Sequence, residues 1–546
     1  MTKQSRPLGL SGQYFELGQA WVLGLALCLI MGRPILSAQA ADPMGENQLT
    51  RIDLLIPQEG IQTLRQSYFH RRMPSMSYRP KTKGVAIIEG NRFVEVAIKL
   101  KGAAGSFRPI DDKPAFTINL DTHIEDQSYQ GYDKFYLNNS VQDRSYCNEV
   151  ICRELFNQAD IPTPRAAHAW VTLNGRPLGL YVMIEGFNKP WLKRHFEDVS
   201  GNLYDGGFLN DIQEDLAVNN GDEPDDHSAK QALVNAFYER DLTRLLPAVQ
   251  AHMNVEQLLT HTALDVMTWN WDGYAMKPNN YRLYHNRDTD QFQLIPHGMD
   301  QMFENPYGEL FPRFRGLMVG SLMRLPEIRQ RYFTRMNELF SSTFDANRLV
   351  RRIDELTSLV QLPLNQMAPQ EAARQAEEAS QLKQNILERA KYLSFQLSAP
   401  SRALRFPPDR QLPVEEWESS RWRGDVVLKE MNQGQQAMLV LEGGQEWSLG
   451  RWISSQLLAQ GMYRLEARVR CQGLVPHPSD RNGGFRLRAG GAKPSATMLG
   501  TRGWTPLTVS FAVEVPAEQV ELACEFRAIQ GTVWIDKASL KLVKLR

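Results

Sequence analysis

Two aspartates, Asp272 and Asp300, stand at the outer ends of a predicted hairpin in the middle of the chain. The residues between them predict two strands joined by a polar turn. Because a hairpin folds its outer ends together, we expect the two carboxylates to converge on one site. Two carboxylates and an amide near each other can hold a hard divalent cation and orient a hydroxyl, and Asn279 and Asn280 lead into the first strand. Phosphoryl transfer requires that arrangement.

A structural interpretation of the same two aspartates stays open on spacing alone. Asp272 would then cap a turn, and Asp300 would cap the start of a helix.

The composition limits the classes of function. The chain has 546 residues, enough for two or three domains with a sizeable core. Lysine plus arginine equals aspartate plus glutamate at 62 each, and this balance gives no basic excess for binding nucleic acid. We therefore expect no nucleic-acid partner.

The N-terminus has the features of a targeting segment. Lys3 and Arg6 precede an apolar run over 20–31, and small residues end at Ala40. This order predicts a signal peptide over 1–40, with an uncleaved anchor as the alternative. We expect a secreted, periplasmic or cell-surface protein, which meets a membrane only if the leader is uncleaved.

Four cysteines follow the predicted cleavage site. Cys147 and Cys152 lie five residues apart on a predicted helix, which points them to different faces and excludes a bridge between them. Cys471 and Cys524 lie in two strand-like runs of the C-terminal part, where an exported protein permits a disulfide. The alternative is two buried thiols.

The segment 48–400 changes from strands to helices. Alternation predicts strands over 52–56, 83–90 and 93–102, and Asn174-Gly175 predicts a hairpin. A helical apolar face predicts a helix that begins near Cys147, capped by Asp143 or Ser145. Further helices are predicted over about 229–267 and 322–397.

Several short motifs follow one another along this segment in a fixed order. They are KLKG, KPAF, LNN, RELF, IPTPR, NG-x-x-x-GLY-x-x-x-E, NLY, WDGY and NNY-x-LY, closed by P-x-x-x-D. The ordered set resembles the spore-coat-protein-H (CotH) kinase family, and the resemblance covers most of the chain after residue 40. It implies an atypical kinase-like domain with C-terminal helices.

The resemblance also implies roles for residues on the nucleotide side. Lys113 resembles the lysine that meets the nucleotide phosphates. Glu149, in preference to Glu154, resembles its ion-pair partner on a helix. Glu185 falls where a hinge-like strand meets the nucleotide.

On the acceptor side, the resemblance gives Asp272 the place of the aspartate in the catalytic loop. Asn279 or Asn280 and Asp300 resemble the metal ligands. The implied cofactors are ATP and Mg²⁺ or Mn²⁺, with the metal and Lys113 offsetting phosphate charge while Asp272 aligns the acceptor hydroxyl.

The chain departs from the family at one position of this site. Many members have Pro-Trp-Asp-x-Asp where this chain has PHGMD over 296–300, so one of the paired aspartates is Gly298 here. The lost carboxylate would weaken metal binding or leave a pseudokinase. His297 is either a substitute ligand or a structural residue.

The C-terminal part, 411–546, predicts a separate all-β domain. Strand-like runs recur at regular spacing after the proline-rich boundary RFPPDRQLP, which is typical of a β-sandwich. Its last strands resemble those of jelly-roll carbohydrate-binding modules. Five tryptophans would either stack on sugar rings or serve the core: Trp417, Trp422, Trp447, Trp452 and Trp504.

The predicted fold class is therefore α+β, an atypical kinase-like domain followed by an all-β jelly-roll sandwich. The predicted function is an exported kinase that transfers the γ-phosphate of ATP to a protein or glycan hydroxyl with a divalent metal. The alternative is a non-catalytic surface or assembly protein that binds polysaccharide or a coat partner.

Overall fold

The structure is a computed structural model of the chain. It describes residues 42–45, 47–70, 74–398, 404–434, 436–444, 446–480 and 482–545. The predicted signal peptide, 1–40, lies outside the described residues. Among the described helices, none combines the length and the apolar character that a membrane span needs.

The first part of the described chain, which we call the barrel lobe, contains seven strands and two helices. They are β1 (Leu49–Leu55), α1 (Gln58–Arg65), β2 (Lys81–Ile88), β3 (Asn91–Lys101), β4 (Ala115–Asn119), β5 (Lys134–Asn138), α2 (Asn148–Gln158), β6 (Ala166–Leu173) and β7 (Arg176–Glu185). The strands close in the order β1-β2-β3-β4-β5-β7-β6, and the β1–β6 pair is parallel. The predicted strands near residues 52, 83 and 93 are confirmed.

The alternation of β3 decides which side chains face the barrel interior. Val96, Ile98 and Leu100 are fully buried in the barrel core. Because successive side chains point to opposite faces of a strand, Lys99 and Lys101 lie on the outer face. The outer face of β3 is therefore cationic.

The predicted hairpin at Asn174-Gly175 is confirmed between β6 and β7. Both turn residues have a positive φ, 49° and 78°. Asparagine and glycine adopt that conformation at little cost, so this dipeptide fixes the register of the two strands.

The second part, which we call the helical lobe, runs to residue 397. Its elements are α3 (Lys189–Leu192), β8 (Leu203–Asp205), β9 (Ala217–Asn220), α4 (Ser228–Phe237), α5 (Leu242–Gln250), α6 (Val255–Met267), β10 (Tyr281–Asn286), β11 (Gln291–Pro296), α7 (Leu317–Leu322), α8 (Pro326–Ser342), α9 (Ala346–Met367) and α10 (Pro369–Leu397). The strands form a sheet in the order β11-β10-β8-β9. The predicted helices before and after the central hairpin are confirmed.

Helix α2 joins the two lobes through its apolar face. Val150, Ile151, Leu155 and Phe156 are buried in the same hydrophobic cluster as the core of the helical lobe. The predicted cap is wrong in position, because Cys147 occupies the N-cap and makes no side-chain cap bond. Asp143 instead accepts the backbone N–H of Asn148 at 2.9 Å from outside the helix.

The C-terminal part is the predicted all-β sandwich. Its strands are β12 (Gln411–Pro413), β13 (Glu418–Arg423), β14 (Val427–Gln433), β15 (Gln436–Gly443), β16 (Ser448–Val475), β17 (Gly484–Ala489), β18 (Gly500–Ala528), β19 (Gln530–Asp536) and β20 (Lys541–Lys544). The long strands β16 and β18 pair with each other along most of their length. They carry the chain between two layers that enclose a second core. The α+β fold class with a C-terminal jelly-roll sandwich is confirmed.

The predicted tryptophans of the sandwich divide between core and surface. Trp417 and Trp452 are buried in the sandwich core. Trp422 instead stacks on Tyr307 of the helical lobe, with ring centroids 5.2 Å apart. Trp447 stacks on His477 at 5.0 Å within the sandwich.

The four described cysteines are free thiols, and all are buried. Cys147 and Cys152 are unbridged, as the helix predicts. Cys471 and Cys524 are the two buried thiols of the alternative interpretation.

Candidate active site

The loop that carries Asp272 is anchored on helix α6 by the buried carboxyl of Asp265. Asn270 donates from Nδ2 to Asp265 Oδ1 at 2.8 Å, and the backbone N–H of Ala275 donates to Oδ2 at 3.5 Å. Burial raises the pKa of Asp265 to about 7. Sequence reasoning did not single out Asp265, because an aspartate inside an amphipathic helix carries no signal of its tertiary partners.

The carboxylate of Asp272 is held by three side chains of its own loop. Lys277 Nζ lies 2.6 Å from Oδ1, while Asn279 and Asn280 donate from Nδ2 to Oδ2 at 3.0 and 2.9 Å. Among the described residues, its carboxylate accepts no backbone N–H. Asp272 therefore does not cap a turn, and both predicted asparagines lie beside it.

The β10–β11 hairpin connects the Asp272 loop to the segment that leads to Asp300. Tyr281 pairs with Pro296, and the backbone N–H of His297 donates to the carbonyl of Asn280 at 2.9 Å. Within the described residues, no hydrogen bond or ion pair joins Asp272 directly to Asp300. Asn280 is the link between their two segments.

Gly298 has a physical reason to be glycine in this chain. Its φ is +59°, and a Cβ at this position would lie 2.6 Å from Asn280 Oδ1 and 2.8 Å from Asn280 Cγ. An aspartate here would be strained and would displace Asn280. The space that a paired carboxylate would need is filled by the amide of Asn280.

Asp300 lies in a corner with two other carboxyl groups and a lysine. Burial, together with the charges of Glu149 and Asp143, raises the pKa of Asp300 to about 7, although the charge of Lys101 opposes that shift. The next helix after Asp300 begins only at Leu317. Asp300 therefore does not cap a helix start.

Lys101 is the lysine that faces this corner. Its ammonium lies 5.0 Å from the ring centroid of Tyr136 on the neighbouring face of the barrel. Burial lowers the pKa of Lys101 to about 8, although the charges of Glu149 and Asp300 oppose that shift. Among the described residues, no hydrogen bond or ion pair holds this desolvated ammonium, so it suits a ligand that brings negative charge.

Glu149 is fixed in the corner from two sides. Its carboxylate accepts from Arg153 Nε at 2.7 Å on the same helix, with both side chains about 1% exposed. The backbone N–H of Met299, next to Asp300, donates to its other oxygen at 3.1 Å. Among the described residues, the implied ion pair between Glu149 and Lys113 is not formed, because Lys113 pairs with Glu371. The alternative glutamate, Glu154, pairs with Arg352 at the surface of α9.

His297 lies between the two lobes as a neutral ring. Its imidazole packs against Tyr136 at 6.0 Å and Phe187 at 5.3 Å. Burial and the charges of Arg282 and Lys101 hold its pKa well below the usual range. These contacts agree with a structural residue more than with a metal ligand.

The structure places Lys113 away from the Asp300 corner. Its ammonium donates to Tyr146 Oη at 2.7 Å and to Glu371 Oε1 at 3.1 Å, which ties the barrel to the start of α10. Its implied contact with nucleotide phosphates stays a prediction. The KLKG motif places Lys101 at the end of β3, and it is the sequence signal that could have identified Lys101 in place of Lys113.

Glu185 is also engaged outside the corner. Its carboxylate forms an ion pair with Arg194 and accepts from the backbone N–H of Arg165. Its implied place beside a nucleotide stays a prediction.

The oxygen atoms around Asp300 decide whether the implied Mg²⁺ or Mn²⁺ fits this site. The buried Oδ1 of Asn148 has no hydrogen-bond partner in the described chain, and its Nδ2 lies 3.5 Å from the carbonyl oxygen of Asp300. Asp300 and the free Oδ1 of Asn280 add further oxygen donors. Mg²⁺ is usually bound by one or two carboxylates together with substrate phosphates, so this partial oxygen set fits.

The oxygen set around Asp300 is partial, and the cavity beside the sandwich lies elsewhere. Among the described residues, no group of three or more His, Cys, Asp and Glu side chains is arranged to hold a metal ion. A cavity of about 550 Å³ lies instead between the helical lobe and the sandwich, lined by Phe314, Met323, Arg329 and Phe511 among others. None of the predicted site residues lines that cavity.

Comparison with known proteins gives one family match and one curated relative. The family model described as "CotH kinase protein" matches residues 98–393. The "Inner spore coat protein H" of Bacillus subtilis (strain 168) is 25% identical over 190 residues, which cover 32% of this chain. The chain spans about half the length of this relative, 51%.

Two solved structures similar to the chain each match about a quarter of it. One is TmCBM61 in complex with β-1,4-galactotriose, 17% identical, covering 24% of this chain and 90% of that one, with a TM-score of 0.18. Another is the CBM22-1 xylan-binding domain of Paenibacillus barcinonensis Xyn10C, 13% identical, covering 25% and 93%, with a TM-score of 0.18. Scores this low carry no argument about a ligand of this chain.

Proposed function

The chain belongs to the CotH kinase protein family, and from this premise we propose that it transfers the γ-phosphate of ATP to an acceptor hydroxyl. The observation that supports the proposal is the buried corner shared by Lys101, Glu149 and Asp300 beside the Asp272 loop. Phosphoryl transfer needs positioning and charge stabilisation more than covalent chemistry, and this corner supplies both.

On the phosphate side, Lys101 is the residue that receives the nucleotide. Its ammonium is desolvated, so its attraction to a phosphate oxygen is stronger than that of a solvated lysine. The charge of Glu149 favours the protonated form of Lys101, and its carboxylate is fixed by Arg153 and the backbone N–H of Met299. Asp300, Asn280 and Asn148 would hold Mg²⁺ or Mn²⁺, which when bound would neutralise phosphate charge.

On the acceptor side, Asp272 orients the hydroxyl. Lys277, Asn279 and Asn280 fix its carboxylate in one orientation through side-chain contacts. A hydroxyl that donates to either oxygen is thereby aligned, and the carboxylate accepts its proton as the hydroxyl oxygen bonds to the γ-phosphorus and the bond from that phosphorus to the bridging oxygen of ATP breaks, releasing ADP.

The place of action follows from the relative and the predicted leader. The curated relative is named as an inner spore coat protein, and we propose a secreted, periplasmic or surface location for this chain as well. The acceptor is a protein or a glycan at that location.

The test is transfer of labelled γ-phosphate from ATP, with Mg²⁺ or Mn²⁺, to casein and to the protein itself. We expect Asp272→Asn and Asp300→Asn each to lower the rate about 100-fold or more. The matched control is Asp241→Asn, which removes the charge of an exposed N-cap of α5 but keeps its accepting Oδ1, and leaves transfer unchanged.

Two outcomes would contradict the proposal. Transfer that neither aspartate variant lowers would reject the site. Binding of ADP without any transfer would favour the non-catalytic alternative, in which the same fold serves as an assembly protein.

One arrangement of side chains on the sandwich favours a polysaccharide as a further partner. The half-buried rings of Trp504 and Trp534 flank the guanidinium of Arg470 at 5.2 and 4.6 Å on one sheet face. We propose that this face binds polysaccharide, because aromatic rings beside a planar donor suit sugar rings. Retention of the full chain on insoluble xylan and galactan, lost in Trp504→Ala but kept in Trp447→Ala, is the expected result.

A further inference from the structure

A second group of cations lies on the outer face of the barrel, one step along the strands from Lys101. It comprises Arg79, Lys81, Lys99 and Lys134, which we call the basic cluster. Lys81 and Lys99 are directly opposed on β2 and β3. Lys134 lies on the far side, with its ammonium 5.9 Å from the Tyr136 ring that Lys101 also contacts.

The charges of the basic cluster form no close ion pairs with acids. Among the described residues, none of its four side chains pairs with a carboxylate within 4.0 Å. The nearby Asp205 is already paired with Arg282 at 2.8 Å. A second carboxyl, Asp133, lies near Lys134 and accepts from Asn188. The four like charges thus face two carboxyls, and each of these has a partner of its own.

Burial makes this imbalance costly. Lys99, Lys134 and Arg79 are only half exposed, so water solvates their charges incompletely. Burial lowers the pKa of Lys99, and the neighbouring charges of Lys81, Arg79 and Lys134 lower it further. Such a group is stabilised by an anion that binds among its members.

The position of the cluster connects it to the acceptor side of the site. Asp205 ends β8, and the loop after it carries Leu209, whose backbone N–H donates to Asn279 Oδ1 at 3.1 Å. Asn279 in turn donates to Asp272. A ligand in the cluster therefore lies against the loop that supports the Asp272 carboxylate.

The cluster is also displaced from the Asp300 corner. Lys99 precedes Lys101 by two residues of the same strand, which separates their Cα atoms by about 7 Å. Lys81 lies on the adjacent strand, roughly 5 Å to the side of Lys99. An anion in the cluster and a phosphate group at Lys101 would therefore be held by different lysines.

We infer that Arg79, Lys81, Lys99 and Lys134 form a second anion subsite, which takes a phosphate group carried by the acceptor. The description of the ligand as an acceptor rests on the proposed function, whereas the anion subsite does not. The donor nucleotide is the other source of the same chemistry, and the experiment separates the two.

The experiment measures binding of tripolyphosphate to the full chain by calorimetry, with and without saturating ADP. We expect binding to persist in the presence of ADP. Lys99→Gln and Lys134→Gln should each weaken it about tenfold, since each removes a charge-assisted hydrogen bond.

The matched control is Lys83→Gln. Lys83 lies on the same strand as Lys81, but its exposed ammonium is paired with Glu95 at 2.5 Å. It removes the same unit of charge, and tripolyphosphate binding should stay within twofold of the unmodified chain. Melting temperatures of Lys99→Gln and Lys134→Gln should not fall, because each substitution relieves repulsion.

The outcomes distinguish this inference from the kinase proposal. Displacement of tripolyphosphate by ADP would assign the cluster to the donor and overturn the inference. Equal binding by all variants, or no binding by the unmodified chain, would also overturn it. Binding that depends on Lys99 in a chain that transfers no phosphate would leave the subsite standing and remove the kinase proposal.

Discussion

Lys101 and Lys113 stand at the two ends of the connection between β3 and β4, and their surroundings separate their roles. Lys101 faces the Glu149 and Asp300 carboxyls in a desolvated corner. Lys113 forms a structural pair with Glu371, and both side chains are partly exposed. The first environment suits a ligand's charge, whereas the second is already neutralised.

This difference predicts opposite outcomes for two equivalent substitutions. Lys101→Met should lower phosphate transfer about 100-fold or more with little change in stability, since it removes charge stabilisation only. Lys113→Met should retain transfer and lose at most about 1 kcal/mol of stability, as for a partly exposed pair. Transfer rates and melting temperatures of both variants check this, and loss of transfer in Lys113→Met alone would restore the original prediction.

The buried carboxyl of Asp265 makes the stability of the folded protein depend on pH. Its folded pKa of about 7 is above the ordinary value of 3.8, so the unfolded chain releases this proton at lower pH than the folded chain. Its contribution to stability is complete below about pH 4 and is lost as the pH rises to about 7.

The variant Asp265→Asn should remove that dependence. Between pH 4.5 and pH 7, the unmodified chain should lose a few kcal/mol of unfolding free energy relative to the variant. The expected loss is roughly 1.4 kcal/mol for each pH unit that lies between the unfolded and the folded pKa of Asp265. Urea unfolding at the two pH values measures it. Identical pH slopes for the two proteins would show that the Asp265 carboxyl does not titrate as described.

At the level of elements, helix α10 organises the central stretch that carries the site. Its Arg389 is fully buried and donates to the carbonyls of Val266, Met267, Pro306 and Gly308 at 2.6–3.2 Å. These carbonyls lie just before and just after the segment that contains both predicted aspartates. One guanidinium therefore holds the two ends of this segment together.

Arg389→Met should be strongly destabilising, because the carbonyls of Met267, Pro306 and Gly308 lose their guanidinium donor and that of Val266 keeps only the backbone N–H of Trp269. We expect a loss of roughly 3 kcal/mol or more, and a parallel fall in phosphate transfer. Lys383→Met, on the same helix, removes a surface pair with Asp354 and should cost less than about 1 kcal/mol. Chemical unfolding of the two variants provides the comparison, and equal losses would refute the role of Arg389.

At the level of the whole molecule, the sandwich contacts the helical lobe through an aromatic contact. Tyr307 and Trp422 stack almost in parallel, with an interplanar angle of 6°, and Tyr307 also meets Tyr392 of α10 edge-on at 5.6 Å. The guanidinium of Arg451 covers Trp422 at 3.8 Å. This packing couples the two parts mechanically.

Trp422→Ala should uncouple them. We expect one calorimetric transition of the unmodified chain to separate into two, with the earlier one lowered by several degrees, because the contact loses about 1–3 kcal/mol of burial and stacking. Trp447→Ala, which removes a ring that stacks within the sandwich, is the control and should leave the transitions joined. Two transitions already present in the unmodified chain would exclude the coupling.

The sequence by itself determined the elements and part of the site. Alternation along β3, the Asn174-Gly175 turn and the helical face around Val150 each depend on neighbours within one element, so periodicity predicts them. The hairpin between Asp272 and Asp300 was predictable for the same reason. The domain boundaries and the cofactors stay predictions.

Only the tertiary structure decided which charged groups meet. Lys101 reaches Glu149 and Asp300 because the outer face of a barrel strand packs against a helix from later in the chain and a loop from the other lobe. Asn280 fills the space beside Gly298 because a hairpin register brings them together. Such contacts depend on how separate elements pack, and a pattern within one element does not contain that information.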